Sequence, residues 1–435
     1  MKIAILGYGL QGKSAYDYWN NSENQITVCD QNTAVELPTN VEKRLGPDHL
    51  KNLGGFDLIV RSPMVHPKDI VAANTSEILE KVTTVTNEFI KACPTRNIIG
   101  VTGTKGKGTT STLISKMLEA AGKRVHLGGN IGTPPLDLLQ PGIQSEDWVV
   151  LELANFQLID LKTSPRIAVC LMVVPEHMDW HKDMDEYVTA KQQMFAHQAA
   201  EDYAIFYGLN DTSKQIADVS PGHKLPYMQQ PGAEVVDEAI KIDGQTICKT
   251  DELKLLGKHN WQNACAALTA FWQVEKNVEA ARKVLISFSS LPFRIELRRE
   301  VNGVKFYNDS FASAPDASIA AMEAIPENKV MIIGGFERGL DLREIAEYLT
   351  SHNENIRKVV LIGATADRIA DNLKRSGFEN FEFCREKSME AIVTVAQKYA
   401  KTGDGIVLSP GFASFDMFKN FEDRGIQFND AVEKL

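Results

Sequence analysis

Apolar residues along the chain gather in short runs, split by polar and glycine-bearing turns, and stretches of helical spacing fall between them. Residues 2–7 read as a strand, Lys13–Trp19 as a helix and Gln25–Cys29 as a second strand. Asp57–Val60 reads as another strand, followed by a turn at Arg61-Ser62-Pro63. Further on, Ile98–Val101, Arg124–Leu127, Trp148–Glu152 and Ile167–Val174 are apolar enough to be buried strands. Helices are expected from the loop after Val101 to about Ala121 and over Met184–Gln198. Residues 203–257 mix short strand-like pieces such as Tyr203–Tyr207 and Ile240–Ile242, and Gly257–Asn263 opens an apolar helix through Trp272. The last part alternates again, with strands at Val304–Tyr307, Lys329–Ile333, Lys358–Ile362 and Gly405–Leu408 and helices such as Leu342–Leu349 and Met389–Tyr399. Strand-helix alternation of this kind predicts α/β domains with parallel, doubly wound sheets.

Two glycine-rich turns stand out against this pattern. The stronger is Gly103-Thr104-Lys105-Gly106-Lys107-Gly108-Thr109, between a buried strand and a helix. Strand, glycine turn and helix N-terminus together form a geometry that holds phosphate with main-chain N–H groups. Lys107 can reach the outer phosphates, and Thr109 can offer a hydroxyl to Mg²⁺. The match to the common P-loop is incomplete: Val101 stands where its first glycine would be, and Gly108 where Ser or Thr follows the lysine. The second turn, Gly7-Tyr8-Gly9-Leu10-Gln11-Gly12, is a G-x-G-x-x-G fingerprint with Asp30 about 20 residues on. A dehydrogenase would hold NAD there, but any nucleotide diphosphate can use the same turn and helix end. Glu152 ends a buried strand beside the phosphate loop, as a Mg²⁺-serving acid or a plain strand-end acid would. His177 follows another strand on the edge where open parallel sheets bind ligands. A lone histidine there is more often structural, and Lys191 taken alone is a solvated helix lysine.

Composition narrows the class. A chain of 435 residues has room for about three domains at ~150 residues each. The net charge of −10 comes without a basic block, which argues against nucleic acid as the main partner. Six scattered cysteines form no C-x-x-C pair, so neither a zinc site nor a disulfide framework is expected. No apolar run approaches the ~18 residues of a membrane span, the N-terminal run is too short for a signal peptide, and a cytoplasmic location is expected.

Taken in order, the turns resemble those of the Mur ligase family. The resemblance rests on Gly7–Gly12, Gly103–Thr109, Gly129-Asn130-Ile131-Gly132, Glu152 with Phe156-Gln157-Leu158, and Glu176-His177-Met178-Asp179. It continues through Ala190-Lys191, Gly257–Asn263, Leu291-Pro292 with Arg294, Asn308-Asp309-Ser310, Ser409-Pro410 and Ala413–Gly425. It spans essentially the whole chain and implies three α/β domains: a Rossmann-like UDP-sugar domain at 1–92, an ATP domain at 93–292 and a Rossmann-like amino-acid domain at 293–435. The activity implied is an ATP-dependent amide ligase that adds D-glutamate to UDP-N-acetylmuramoyl-L-alanine through an acyl phosphate; a monomer is expected. A sister ligase for another amino acid or acceptor is the alternative, and a non-catalytic nucleotide-binding module a third reading.

The same resemblance implies site roles. Leu10, Gln11, Asp30 and Asn130 would contact the UDP substrate. Residues 103–109 (Gly103, Thr104, Lys105, Gly106, Lys107, Gly108 and Thr109) would hold ATP together with Asn260, Asn263, Arg294 and Asp309. Two Mg²⁺ sites are implied, one on Thr109 and Glu152, the other on His177 and a carbamate formed on Lys191. A free lysine is a cation; only its CO₂ adduct offers the anionic oxygen that a hard metal takes. Lys107, His177 and Lys191 would carry the chemistry, and Ser313, Arg338, Ser414 and Phe421 the amino acid. The chain departs from the family at several points. Lys105 replaces an asparagine, Gly108 a Ser or Thr, Phe311 a lysine, Ser313 a threonine, Arg338 a lysine and Phe293 a histidine. Arg338 keeps the cation and can grip a carboxylate with two N–H groups.

Overall fold

In the computed structural model, residues 1–140 and 142–435 are described. They divide into two compact units, one of Met1–Glu252 with Trp261–Ile286, the other of Leu253–Asn260 with Ser287–Leu435.

The first unit opens with a parallel sheet of β1 (Lys2–Leu6), β2 (Gln25–Asp30), β3 (Glu42–Leu45), β4 (Leu58–Arg61) and β5 (Val82–Thr83), in the order β3-β2-β1-β4-β5. Helix α1 (Leu10–Trp19) joins β1 to β2, α2 (Pro67–Ala73) lies between β4 and β5, and α3 (Val85–Ala92) follows β5. A second parallel sheet holds β6 (Ile98–Thr102), β7 (Val125–Gly129), β8 (Trp148–Glu152), β9 (Ile167–Cys170), β10 (Tyr203–Tyr207) and β11 (His223–Tyr227), ordered β11-β10-β9-β6-β8-β7. Every residue of β6 and β8 is buried, as expected of central strands covered on both faces. Helices α4 (Lys107–Ala120), α5 (Asn155–Leu158) and α6 (Met184–Ala196) follow β6, β8 and β9. The strands β12 (Glu234–Val236), β13 (Ala239–Ile242) and β14 (Gln245–Lys249) make a small antiparallel sheet, and a helix follows at His259–Trp272.

The two large sheets of this unit share one apolar core, in which Trp19 and Ile26 belong to the same cluster as Leu136, Leu158 and Phe195. Polar ties reinforce it. The guanidinium of Arg61, wholly buried, donates to both oxygens of Asp160 at 2.6 and 2.5 Å and to the Phe156 carbonyl at 2.9 Å. Ser14 donates to Asp137 at 2.6 Å.

The second unit is a six-stranded sheet of β15 (Glu296–Val301), β16 (Val304–Asn308), β17 (Lys329–Gly334), β18 (Ile356–Ile362), β19 (Phe381–Phe383) and β20 (Gly405–Leu408), ordered β15-β16-β20-β17-β18-β19. All pairs are parallel except β15 with β16. Apolar clusters lie on both faces of the sheet, as the doubly wound pattern requires.

One expectation fails. The strand read over Ile167–Val174 stops at Cys170, so His177 does not sit directly at a strand end. The apolar run continues, but its backbone leaves the sheet ladder to line the phosphate loop. Thr104 N–H donates to the Met172 carbonyl at 2.9 Å, and the Thr104 hydroxyl exchanges 3.0 Å bonds with Val174.

Candidate active site

The phosphate loop leaves β6 at the point where its neighbours β9 and β8 diverge in chain order, the crevice where open α/β sheets bind ligands. Two of its glycines are required by geometry. Gly103 has φ +145°, and a Cβ there would lie 2.6 Å from Leu171. Gly106, at φ +89°, caps α4, and a Cβ would lie 2.2 Å from the Asn263 side-chain oxygen. The loop therefore closes against Asn263, one of the expected ATP contacts. Lys107 is the first residue of α4, and its ammonium donates to the carbonyls of Gly103 at 3.1 Å and Thr104 at 2.7 Å, curled over the loop.

Lys191 approaches the same loop from α6. It is fully buried, donates to the Gly103 carbonyl at 3.1 Å, and lies 4.4 Å over the Tyr187 ring. Burial first, and the nearby Lys107 charge second, pull its pKa down from 10.5 to about 7. The solvated helix lysine is thus excluded. Tyr187, one turn earlier on α6, meets the Thr104 hydroxyl at 3.1 Å, so one helix face touches the loop twice.

Glu152 is buried at the end of β8. Its Oε1 accepts from the Asn130 side chain at 3.0 Å, while Oε2 is buried without a hydrogen-bonding partner among the described residues. Thr102 Oγ1, at the end of β6, is in the same condition. A buried carboxylate oxygen left bare is costly unless a cation or donor takes it, so this corner fits a hard divalent metal. Thr109 is buried in the first turn of α4. His177 is partly exposed and has φ +59°, unusual for a non-glycine residue. Burial depresses its pKa and Glu176 opposes the shift, which favours the neutral imidazole that a metal needs.

At the first fingerprint, Gly7 has φ +83°, and a Cβ on Gly12 would sit 2.0 Å from the Gly7 carbonyl oxygen. Both oxygens of Asp30 take backbone N–H groups, from Tyr8 at 2.7 Å and Asn32 at 2.8 Å. Asp30 therefore shapes the turn itself, while Leu10 is exposed and Gln11 half-exposed above it.

The remaining predicted residues lie in the second unit. Asn260 donates to the Leu256 carbonyl at 2.6 Å. Asp309 is buried, accepting from Ser409 at 2.7 Å and from Ile295 N–H at 3.1 Å. Burial still lifts its pKa to about 7, against those hydrogen bonds and the charges of Arg294 and Arg424. The Arg294 guanidinium stacks 3.8 Å over Phe311, whose ring meets Phe421 edge-on at 5.0 Å. Arg338 and Ser313 are exposed on the loops at the sheet edge, and Ser414 is buried.

The sequence reading did not single out the roles of Tyr187, His66 or His181. Asn130, expected to contact the UDP substrate, donates to Glu152. No spacing rule marks such partners, because they lie far apart in the chain.

The Mur ligase middle domain matches residues 101–271, and the Mur ligase glutamate ligase domain matches 293–412. The UDP-N-acetylmuramoylalanine–D-glutamate ligase of Acetivibrio thermocellus is 37% identical over 100% of this chain and 96% of its own length. The chain belongs to the Mur ligase family. It is therefore an ATP-dependent ligase that forms an amide bond in peptidoglycan precursor synthesis. A relative with the same printed name from Clostridium kluyveri is 34% identical over 100% of this chain and 97% of its own. Among solved structures, the UDP-N-acetylmuramate–alanine ligase of Thermotoga maritima superposes with a TM-score of 0.61 at 16% identity, covering 100% of this chain and 99% of its own. The MurF ligase of Thermotoga maritima in complex with ADP gives 0.60 at 17%, over 87% of this chain and 90% of its own. Those two likenesses concern the fold. Among the described residues no helix is long and apolar enough to cross a membrane.

Proposed function

We propose that the chain joins D-glutamate to UDP-N-acetylmuramoyl-L-alanine, as its Acetivibrio and Clostridium relatives are named for doing. Residues 1–92 hold the UDP-sugar, 93–292 the ATP and 293–435 the amino acid, in a cytoplasmic monomer. The chemistry follows from charge. A carboxylate is a poor electrophile, so one of its oxygens first attacks the γ-phosphorus of ATP and ADP leaves. The amine nitrogen then attacks the acyl carbon, the C–O bond to phosphate breaks, and the amine loses a proton.

Carboxylate and triphosphate repel each other, and this chain's residues offset that repulsion. The amides of residues 103–107 and the N-terminus of α4 face the phosphates. Lys107 uncurls from its loop carbonyls to reach the transferring phosphoryl group. Thr109 and Glu152 would hold one Mg²⁺, with Asn130 fixing the Glu152 carboxylate, and His177 with carbamylated Lys191 would hold a second. Bound Mg²⁺ would supply positive charge between the two anions. The depressed pKa of Lys191 supports the carbamate, because only a neutral amine adds to CO₂. Arg338, Ser313, Ser414 and Phe421 would receive the amino acid, and Asn260, Asn263, Arg294 and Asp309 complete the ATP contacts.

The observation that carries this reading is the bare Oε2 of Glu152 at the edge of a glycine loop that Asn263 closes. Its test is turnover of Glu152→Gln. The variant keeps the shape and loses the charge, so turnover should fall by roughly 10²-fold or more, the usual effect of removing one electrostatic group. Near-normal turnover would overturn the metal corner. Phe311, stacked on Arg294 where the family carries a lysine, makes the amino acid the point to check: a panel of D-Glu, L-Glu, D-Asp and L-Lys separates D-glutamate addition from a sister activity.

A further inference from the structure

His177 is held in a backbone conformation that a non-glycine side chain rarely adopts, at φ +59°. Such a residue keeps its place only where its surroundings over-determine it. Those surroundings reach back to the first sheet. Rings stand in series from the turn after β4: His66 against Trp180 at 4.2 Å, Trp180 against Phe156 at 4.8 Å, and Phe156 against His177 at 4.7 Å. The Trp180 indole N–H donates to the Met64 carbonyl at 3.2 Å, and Arg61 holds the Phe156 carbonyl at 2.9 Å. The N–H groups of Trp180 and His181 both donate to the His177 carbonyl, at 3.1 and 3.0 Å.

A carboxylate locks the same seam. Glu186 Oε2 faces His66 Nε2 at 3.4 Å and His181 Nδ1 at 3.2 Å, and accepts Lys182 N–H at 2.8 Å. Two histidines and a glutamate so placed could be a metal site in their own right. Their other ring nitrogens argue otherwise. His66 Nδ1 accepts the Lys68 N–H at 3.1 Å, and His181 Nε2 meets the Asn155 amide nitrogen at 2.7 Å. In the neutral imidazoles this leaves the protons on His66 Nε2 and His181 Nδ1, so both rings donate to Glu186 and neither turns a lone pair toward it.

We propose that His66 and Trp180 are positioning residues: His66, from the turn after β4, holds Trp180, and together they keep the His177 turn in the conformation that presents its imidazole to the second metal site. The inference rests on the reading of His177 as a metal ligand. It makes the segment that follows β4 a support of the metal site as well as a neighbour of the UDP-sugar fingerprint.

The test is Mn²⁺ binding, read by electron paramagnetic resonance on the full chain with a non-hydrolysable ATP analogue and bicarbonate. His177→Ala is the control that identifies which bound Mn²⁺ depends on that residue. In His66→Ala and Trp180→Ala the affinity of that Mn²⁺ should fall roughly tenfold, the usual effect of losing an outer-shell partner. Trp180→Phe, which keeps a ring, and His66→Gln, which keeps an N–H donor, should recover most of it even if an alanine variant fails to fold. Folded His66→Ala and Trp180→Ala with wild-type Mn²⁺ affinity would overturn the proposal. So would stoichiometric zinc in the wild type that His66→Ala releases. If His177→Ala itself leaves Mn²⁺ binding untouched, the ligand reading fails instead.

Discussion

Lys191 is fully buried, and that burial sets how its amine responds to pH. In the folded chain the amine loses its proton near pH 7, against 10.5 for an ordinary lysine. Below about pH 7 both states carry the proton, and the folded state bears the full burial penalty. Between the two values only the unfolded chain stays protonated, so stability rises with pH through that window. In CO₂-free buffer, wild-type protein should therefore gain melting temperature relative to Lys191→Met as pH rises from about 7 to about 9; parallel curves would contradict the shift. With ¹³C-bicarbonate at about pH 8, a carbamate carbon signal should appear in the wild type and be missing from Lys191→Met. Lys107→Ala removes the ammonium that donates to the Gly103 and Thr104 carbonyls of the loop, and kcat should fall by roughly 10²–10³-fold, as for a lost electrostatic donor. Residue chemistry was only partly legible beforehand. The glycine loop announces Lys107, but nothing near Lys191 in the sequence says that it is buried. Burial comes from β6, the phosphate loop and α6 meeting in space.

The elements that were easy to read are those whose side chains face apolar neighbours on both sides. Trp148–Glu152, Tyr203–Tyr207 and Gly405–Leu408 are strands with the bounds that their apolar runs suggest. The edge strand Glu42–Leu45 is mostly charged and His223–Tyr227 carries a proline and two polar residues, so no hydrophobic period marks them. Ile167–Val174 misled for the opposite reason: Leu171 and Val173 stay buried after the ladder ends, because the backbone there pairs with the phosphate loop in place of the sheet. Two predictions belong to this scale. Gly106→Ala forces a side chain into φ +89° and against Asn263, and a displaced loop should lower kcat/KM for ATP by ~10²-fold. An unchanged value would mean that the turn does not touch the nucleotide. Arg61→Ala strips the partly exposed Asp160 of its buried partner between the first two sheets and should cost about 1–3 kcal/mol in urea unfolding.

For the whole molecule, one problem organises the chain: two anions must meet before an amine can displace phosphate. The turns that answer it come from every part of the sequence, which is why their order along the chain reveals the family more clearly than any single turn does. The Asn130–Glu152 bond and the ring series leading to His177 became visible only once the chain was folded. Omission assays on the full chain test the central claim most directly, with ADP release and amide formation measured together in ATP, Mg²⁺, UDP-N-acetylmuramoyl-L-alanine and D-glutamate. ADP should appear only when every component is present, in equal amount to the amide, and D-glutamate should be the preferred amine. ADP release that ignores the amino acid, or no amide with D-glutamate, would contradict the account.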